Sequence, residues 1–212
     1  MKPEPKVKPV SLKLVIATTN IHKIREFRSI LKAFPDLDLL SLCDFPSYVQ
    51  PEETGKTFEE NAALKALHAA QTLNCLAIAD DSGLTVPALK GAPGVFSARY
   101  AGNQATDADN RKKLLEQIRS LPDEDRNAVF ECSIALASPQ GIQKITKGSC
   151  EGVLLDKERG GGGFGYDPLF VKHGYGKSFA ELDETTKNRI SHRRKAIDKM
   201  LPYLESLLRR DL

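Results

Sequence analysis

Strand-length apolar runs alternate with stretches of helical period along this chain, and that alternation restricts it to an α/β architecture. KLVIATTN begins as a buried-type strand, Lys13 to Thr18, and ends in polar turn residues. IHKIREFRSILKAF follows with Ile24, Phe27, Leu31 and Phe34 at helical spacing, and Asn20 is its natural N-cap. Pro46, Pro51 and Gly55 mark residues 44–56 as loop. Thr57 to Leu73 is a second helix, with a Thr57/Glu60 capping box and an apolar stripe of Phe58, Ala62, Ala66, Ala70 and Leu73. Asn61, Lys65 and His68 share another face of it.

NCLAIADD is a strand ending in two aspartates, and GLTVPALKGAPGVFSARYAG reads as irregular loop. Thr106 to Leu121 is a third helix, with Asp107 and Asp109 in the first turn where the helix dipole favours them. VFECSIALA alternates Phe130, Cys132, Ile134 and Leu136 as a half-buried strand does, and SPQG turns into a partner strand. Ile190 to Leu208 closes the chain as a helix, in which Pro202 predicts a kink or break near Met200. A hairpin added to interleaved strands and helices predicts a mixed sheet.

At 212 residues and 41% hydrophobic, the chain can bury one good core. A single domain over 12–212 is expected, behind a Lys/Pro-rich tail, 1–11, that reads as disordered. The balance of 31 basic and 28 acidic residues gives a net charge of only +3, so no basic field points to nucleic acid. MKPEPKVKPV lacks the apolar core of a secretory leader, and no apolar run reaches membrane-span length. The four cysteines form no CxxC pair, which argues against a disulfide framework or a zinc cluster. The cytoplasm is the expected location.

Three stretches carry chemistry. ATTNIHK, Ala17 to Lys23, runs a strand through a polar turn into a helix start, a place that attracts anions. ADDSG and PEETG bring carboxylates together, Asp80 and Asp81 at the end of their strand. Hard oxygen ligands without a His/Cys cluster suit Mg²⁺, or Mn²⁺ in its place, shared with substrate phosphates. GGGGFGYDP, Gly160 to Pro168, removes side chains that would keep backbone from a ligand, and KNRISHRRK adds donors nearby. Each stretch alone also has an ordinary reading as a joint, a turn, a mobile loop or a solvated helix start. Gly160, Gly162 and Gly165 satisfy GxGxxG, but Pro168 follows and no helix opens there. Gly55-Lys56-Thr57 resembles the end of a P-loop, but Gln50 stands where that motif needs glycine.

Taken in order, ATTNIHKIREF, EETGKTFEENAALKA, ADDSGL, GAPGVFSARYAG, GGFGYDPLF and SHRRKA resemble the inosine/xanthosine triphosphate pyrophosphatases, the Ham1-like family, over about residues 14–196. The resemblance implies an elongated mixed β-sheet with flanking helices and two lobes around a central nucleotide cleft, in a homodimer. It implies Mg²⁺-dependent hydrolysis of ITP, dITP and XTP to a monophosphate and pyrophosphate. By position, Thr18, Thr19, Asn20, Ile21, His22 and Lys23 match the triphosphate turn. Asp81 matches the proton acceptor and a metal ligand, Glu52 a second metal ligand, and Ser82 a substrate contact. Phe164, Gly165, Tyr166 and Asp167 match the base-and-sugar loop. Lys187, His192 and Arg193 match nucleotide contacts, mostly at the base. Thr19 departs from the family's usual glycine, and His22 stands where a small residue is frequent. Two other readings are a Maf-like pyrophosphatase, which lacks FGYDP, and a nucleic-acid-binding module using KNRISHRRK.

Overall fold

The computed structural model describes residues 12–209. The expected tail, 1–11, lies outside the described residues. One six-stranded sheet organises the chain: β1 (Leu12–Ile16), β2 (Leu37–Ser41), β3 (Leu76–Thr85), β4 (Asn127–Ser138), β5 (Gly141–Leu154) and β6 (Phe170–Lys172). Its order is β2-β1-β3-β4-β5-β6. β1 pairs in parallel with β2 and β3, and the remaining pairs are antiparallel. The helices are α1 (Ile21–Leu31), α2 (Phe58–Leu73), α3 (Asp107–Ile118), α4 (Glu184–Ile190) and α5 (His192–Leu208).

Two apolar layers cover the first half of the sheet. On one face Phe27, Ile30 and Leu31 of α1 and Ile197, Met200 and Leu204 of α5 pack on Leu14, Ile16, Ile78, Ile134 and Leu136. On the other, the alanines of α2 (Ala62, Ala66, Ala69, Ala70) lie close on Val15, Ala77, Ala79, Ala135 and Ala137. Alanines on both sides let helix and sheet approach closely, which fixes what α2 can present beyond its alanine stripe. From Cys132 to Ala137 β4 is therefore buried on both faces, not on one as its alternation predicts. A third cluster sits at the far end of β3 to β5. There Leu84, Val86, Leu114, Ile118, Phe130, Leu169, Phe170 and Phe179 form the second lobe. Phe130, Phe170 and Phe179 stack or meet edge to face at centroid distances of 4.7–5.8 Å.

The register creates the site. β1 stays paired with β3 only as far as Ile16↔Ile78, while β3 runs on to Thr85 against β4. Beyond Ile78 one edge of β3 has no strand beside it among the described residues. Asp80 and Asp81 are thus inside a ten-residue strand rather than at its end, a correction to the sequence reading. The signal was hidden because Ser82 and Gly83 look like turn chemistry. Two other expectations change. Thr57 caps α2 through Glu60 N, but the Glu60 carboxylate accepts from Lys56 N, so the box does not close. The final helix runs unbroken through Pro202, and the interruption falls at Ser191, between α4 and α5. Ser191 accepts from Arg194 N and so caps a new helix. The buried anchors Met200 and Leu204 flank Pro202 and hold both sides of it in one helix. The four cysteines are free, and Cys43 is exposed.

Candidate active site

Consecutive strand residues point to opposite faces, so the two aspartates serve two different clusters. Asp81, on the α2 side, accepts from Lys65 Nζ at 2.8 Å and from Asn61 Nδ2 at 3.1 Å. Asn61 and Lys65 are one turn apart on α2, on the polar face its spacing indicated. The third residue of that face, His68, goes elsewhere, bonding the Tyr48 hydroxyl at 2.7 Å. Lys65 also meets Glu53 at 2.8 Å, and Arg99 holds the other Glu53 oxygen at 3.1 Å. Burial lifts the Asp81 carboxyl above the ordinary carboxylate range, and the Lys65 charge only partly offsets it.

Asp80 faces the α1/α5 side and is almost fully buried. Its Oδ2 accepts from Arg193 Nη2 at 2.9 Å, Arg193 Nε at 3.2 Å and Ser82 Oγ at 3.0 Å, and lies 3.0 Å from Lys23 Nζ. Burial alone would raise this carboxyl, but Lys23 and Arg193 overcome it and hold the group ionised. Arg193 continues to Glu26 on α1. Lys187 of α4 bridges Glu26 at 3.1 Å and Asp167 at 2.6 Å. Glu26, Asp80, Asp167, Lys187 and Arg193 are all buried, and with the partly buried Lys23 on Asp80 three carboxylates face three cations.

An open cavity of about 280 Å³ lies between these clusters and the second lobe. Thirteen sequence-predicted residues line it: Thr18, Thr19, Asn20, Lys23, Asp81, Ser82, Phe164, Gly165, Tyr166, Asp167, Lys187, His192 and Arg193. Three are placed elsewhere. Glu52 is exposed, and it is Glu53 that turns into the cavity. Ile21 is 59% exposed. His22 leaves the phosphate turn and stacks on Phe164, with centroids 5.1 Å apart and planes 15° apart. In the turn itself, Asn20 Oδ1 takes the backbone N–H groups of His22 and Lys23, so the N-cap uses donors that the sequence reading left free for an anion. Thr19 causes no strain: positive φ occurs at only two described non-glycine residues, Asn74 and Lys90. Its Oγ1 accepts from Gln50 Nε2 at 3.0 Å.

The aromatic pair divides its work. Tyr166 is buried, with its hydroxyl donating to Ser97 O at 2.9 Å, and it anchors the loop. Phe164 remains half-buried, with Lys187 Nζ 4.6 Å from its ring centroid. The glycines earn their places individually. A Cβ on Gly163, whose φ is +71°, would overlap the Asp167 carboxylate, whereas Gly161 faces open space. His192 stacks on Phe130 at 4.8 Å, and its Nδ1 has no partner. Burial pushes its pKa well below the usual value, and Arg193 and Lys187 push it further, so the ring is neutral.

Sequence reasoning did not single out Glu26, Glu53, Asn61, Lys65 and Arg99 as site residues. Asn61 and Lys65 had a signal, polar residues one turn apart on an alanine-rich helix. Glu26 and Arg99 had none, because their partners are far away along the chain.

Among the described residues, no group of three or more His, Cys, Asp or Glu could hold a metal ion by itself. The donor set nevertheless fits a shared divalent cation. Asp81 and Glu53 offer hard oxygens to one cation, Lys65 Nζ, which already lies 2.8 Å from each. No helix of the described residues is long and apolar enough to cross a membrane.

The Ham1 family model matches residues 14–203. A dITP/XTP pyrophosphatase of Protochlamydia amoebophila is 57% identical over 197 residues, covering 92% of this chain and 99% of that protein. A dITP/XTP pyrophosphatase of Chlamydia trachomatis is 53% identical, covering 93% of this chain and 95% of that protein. Among solved structures, the Ham1 protein of Staphylococcus aureus is 44% identical, with a TM-score of 0.81 over 92% of this chain and 98% of its own. That of Coxiella burnetii is 42% identical, with a TM-score of 0.83 over 92% and 99%.

Proposed function

This chain belongs to the Ham1 family, and from that premise we propose how its cavity performs the family's chemistry. The protein is a nucleoside-triphosphate pyrophosphatase acting on deaminated purine nucleotides, dITP, ITP and XTP. Water attacks between the α and β phosphates, and the products are the monophosphate and pyrophosphate. The observation that carries this reading is Asp81, a carboxylate oriented by Lys65 and Asn61 and held above its ordinary pKa at the cavity wall.

A base with a raised pKa takes a proton from water more readily, so Asp81 is the group that accepts it. Lys65 and Asn61 fix the direction of the carboxylate. Lys23 brings positive charge to the triphosphate end of the cavity, beside the Asn20 turn. Mg²⁺, held by Asp81 and Glu53 together with phosphate oxygens, would neutralise the triphosphate charge. At the other end, Phe164 lines the cavity where the base would lie. Lys187 and the neutral His192 offer donors to a carbonyl at purine position 6. Adenine presents an amino group there, so its pairing would leave a donor unmet, costing roughly 1–3 kcal/mol.

The homodimer implied by the resemblance and the cytoplasmic location expected from the sequence remain part of this proposal. A product assay tests the reaction. Purified protein is incubated with Mg²⁺ and ITP, XTP, GTP, ATP or UTP in separate reactions, and pyrophosphate and free phosphate are both measured. Pyrophosphate from ITP and XTP alone is the expected result. Free phosphate would mean cleavage at the γ position and would overturn the mechanism. Preference for UTP would favour the Maf-like reading.

A further inference from the structure

We propose that Asp107 and Arg111 are positioning residues for the nucleotide base, acting through the peptide groups of Gly165. This rests on reading the cavity as the nucleotide site. The two side chains stand one turn apart on α3, a spacing that puts them side by side on one face. Asp107 Oδ2 accepts from Gly165 N at 2.7 Å. Arg111 Nη1 donates to Gly165 O at 2.9 Å. The same Arg111 pairs through Nε with Glu158 Oε1 at 2.8 Å, which ties down the chain just before the glycine run. Both polar groups of one residue are therefore gripped by one helix.

Gly165 has φ +59°, a conformation that L side chains adopt at a cost. In that conformation the residue turns its N–H and C=O towards α3. On the other side of the loop, Phe164 N donates to Asp167 Oδ2 at 2.8 Å. The peptide groups flanking Phe164 are thus held by two independent anchors, and its side chain is left facing the cavity. α3 itself is fixed by a Thr106/Asp109 capping box and by Leu114 and Ile118 in the core of the second lobe. The clamp transfers the rigidity of that core to a loop that four glycines would otherwise leave floppy.

Neither residue belongs to an apolar core cluster, and each grips a loop. The test is a steady-state comparison of wild type, Arg111→Ala, Arg111→Lys and Asp107→Asn with ITP and ATP, alongside thermal unfolding. For Arg111→Ala we expect KM for ITP to rise about ten-fold, the order of one lost charged hydrogen bond, with kcat within about two-fold. The ITP-to-ATP preference in kcat/KM falls in parallel. Arg111→Lys restores part of the KM, because a lysine can still reach one acceptor. A folded Arg111→Ala protein with unchanged KM and unchanged preference overturns the proposal, as does a loss confined to kcat. If the wild type itself does not turn over ITP, the underlying reading of the cavity has failed, not the clamp.

Discussion

His192 links the site to a pH dependence of folding whose size can be worked out. The ring is 5% exposed, lies against Phe130, and has no partner on Nδ1. Its charged neighbours are Arg193, Lys187 and Lys23, which disfavour a further proton, and Asp80, which favours one but is already committed to Arg193 and Lys23. The folded-state pKa is therefore depressed well below that of an ordinary histidine. A depressed histidine binds a proton more readily when unfolded, so stability is full at high pH and falls as pH drops through the unfolded value. Between pH 7.5 and pH 5.5, a site that stays neutral when folded loses on the order of 1 kcal/mol by this linkage, or a few degrees in Tm for a chain of this size. Asp81 and Asp167 have raised pKa values and bind protons more readily when folded, so they push the slope the other way. The useful quantity is thus the difference between wild type and His192→Phe, a variant that keeps a flat ring on Phe130 and cannot titrate. Thermal unfolding of both proteins across that pH range should show their Tm values separating as pH falls, with wild type losing more. Parallel curves would refute the buried, neutral His192.

Most strands and helices were legible because their periods are local, and so was the order of the motifs, but the short strands β2 and β6 and the separate helix α4 were not. The placement of charge was not. Asp80 and Asp81 read as a single acidic cluster needing a cation between them, yet a strand's period of two sends them to separate partners, Arg193 and Lys65. That outcome depends on β3 continuing past Ile78, which Ser82-Gly83 disguises as a turn. Glu26 reads as one more polar residue in KIREF, and only the approach of α1 to α4 and α5 brings it to Lys187 and Arg193. The choice between Glu52 and Glu53 is likewise set by tertiary contacts, because Arg99 and Lys65 draw one of two adjacent glutamates inward. Pro202 shows the converse, with core packing of Met200 and Leu204 overriding a strong local signal.

Three further outcomes follow from the same geometry. Asp81→Asn should lower kcat by about 10²–10⁴-fold while the protein remains folded, since the amide keeps the shape but cannot take the proton; near-normal turnover by a pyrophosphate assay would remove Asp81 from that role. Glu26→Gln should cost roughly 3–5 kcal/mol in urea unfolding, because it leaves Lys187 and Arg193 short of a buried counter-charge; a loss under about 1 kcal/mol would mean the network relaxes through Asp80 and Asp167. The glycine run makes the sharpest contrast. Gly163→Ala puts a methyl group against the Asp167 carboxylate at a φ of +71°, whereas Gly161→Ala meets nothing within 4 Å. Asp167 is the residue that holds both Phe164 N and Lys187, so the first substitution should raise KM for ITP and the second should leave it unchanged. Equal effects of the two substitutions would mean that the glycines supply only general flexibility, because flexibility alone does not distinguish position 161 from position 163.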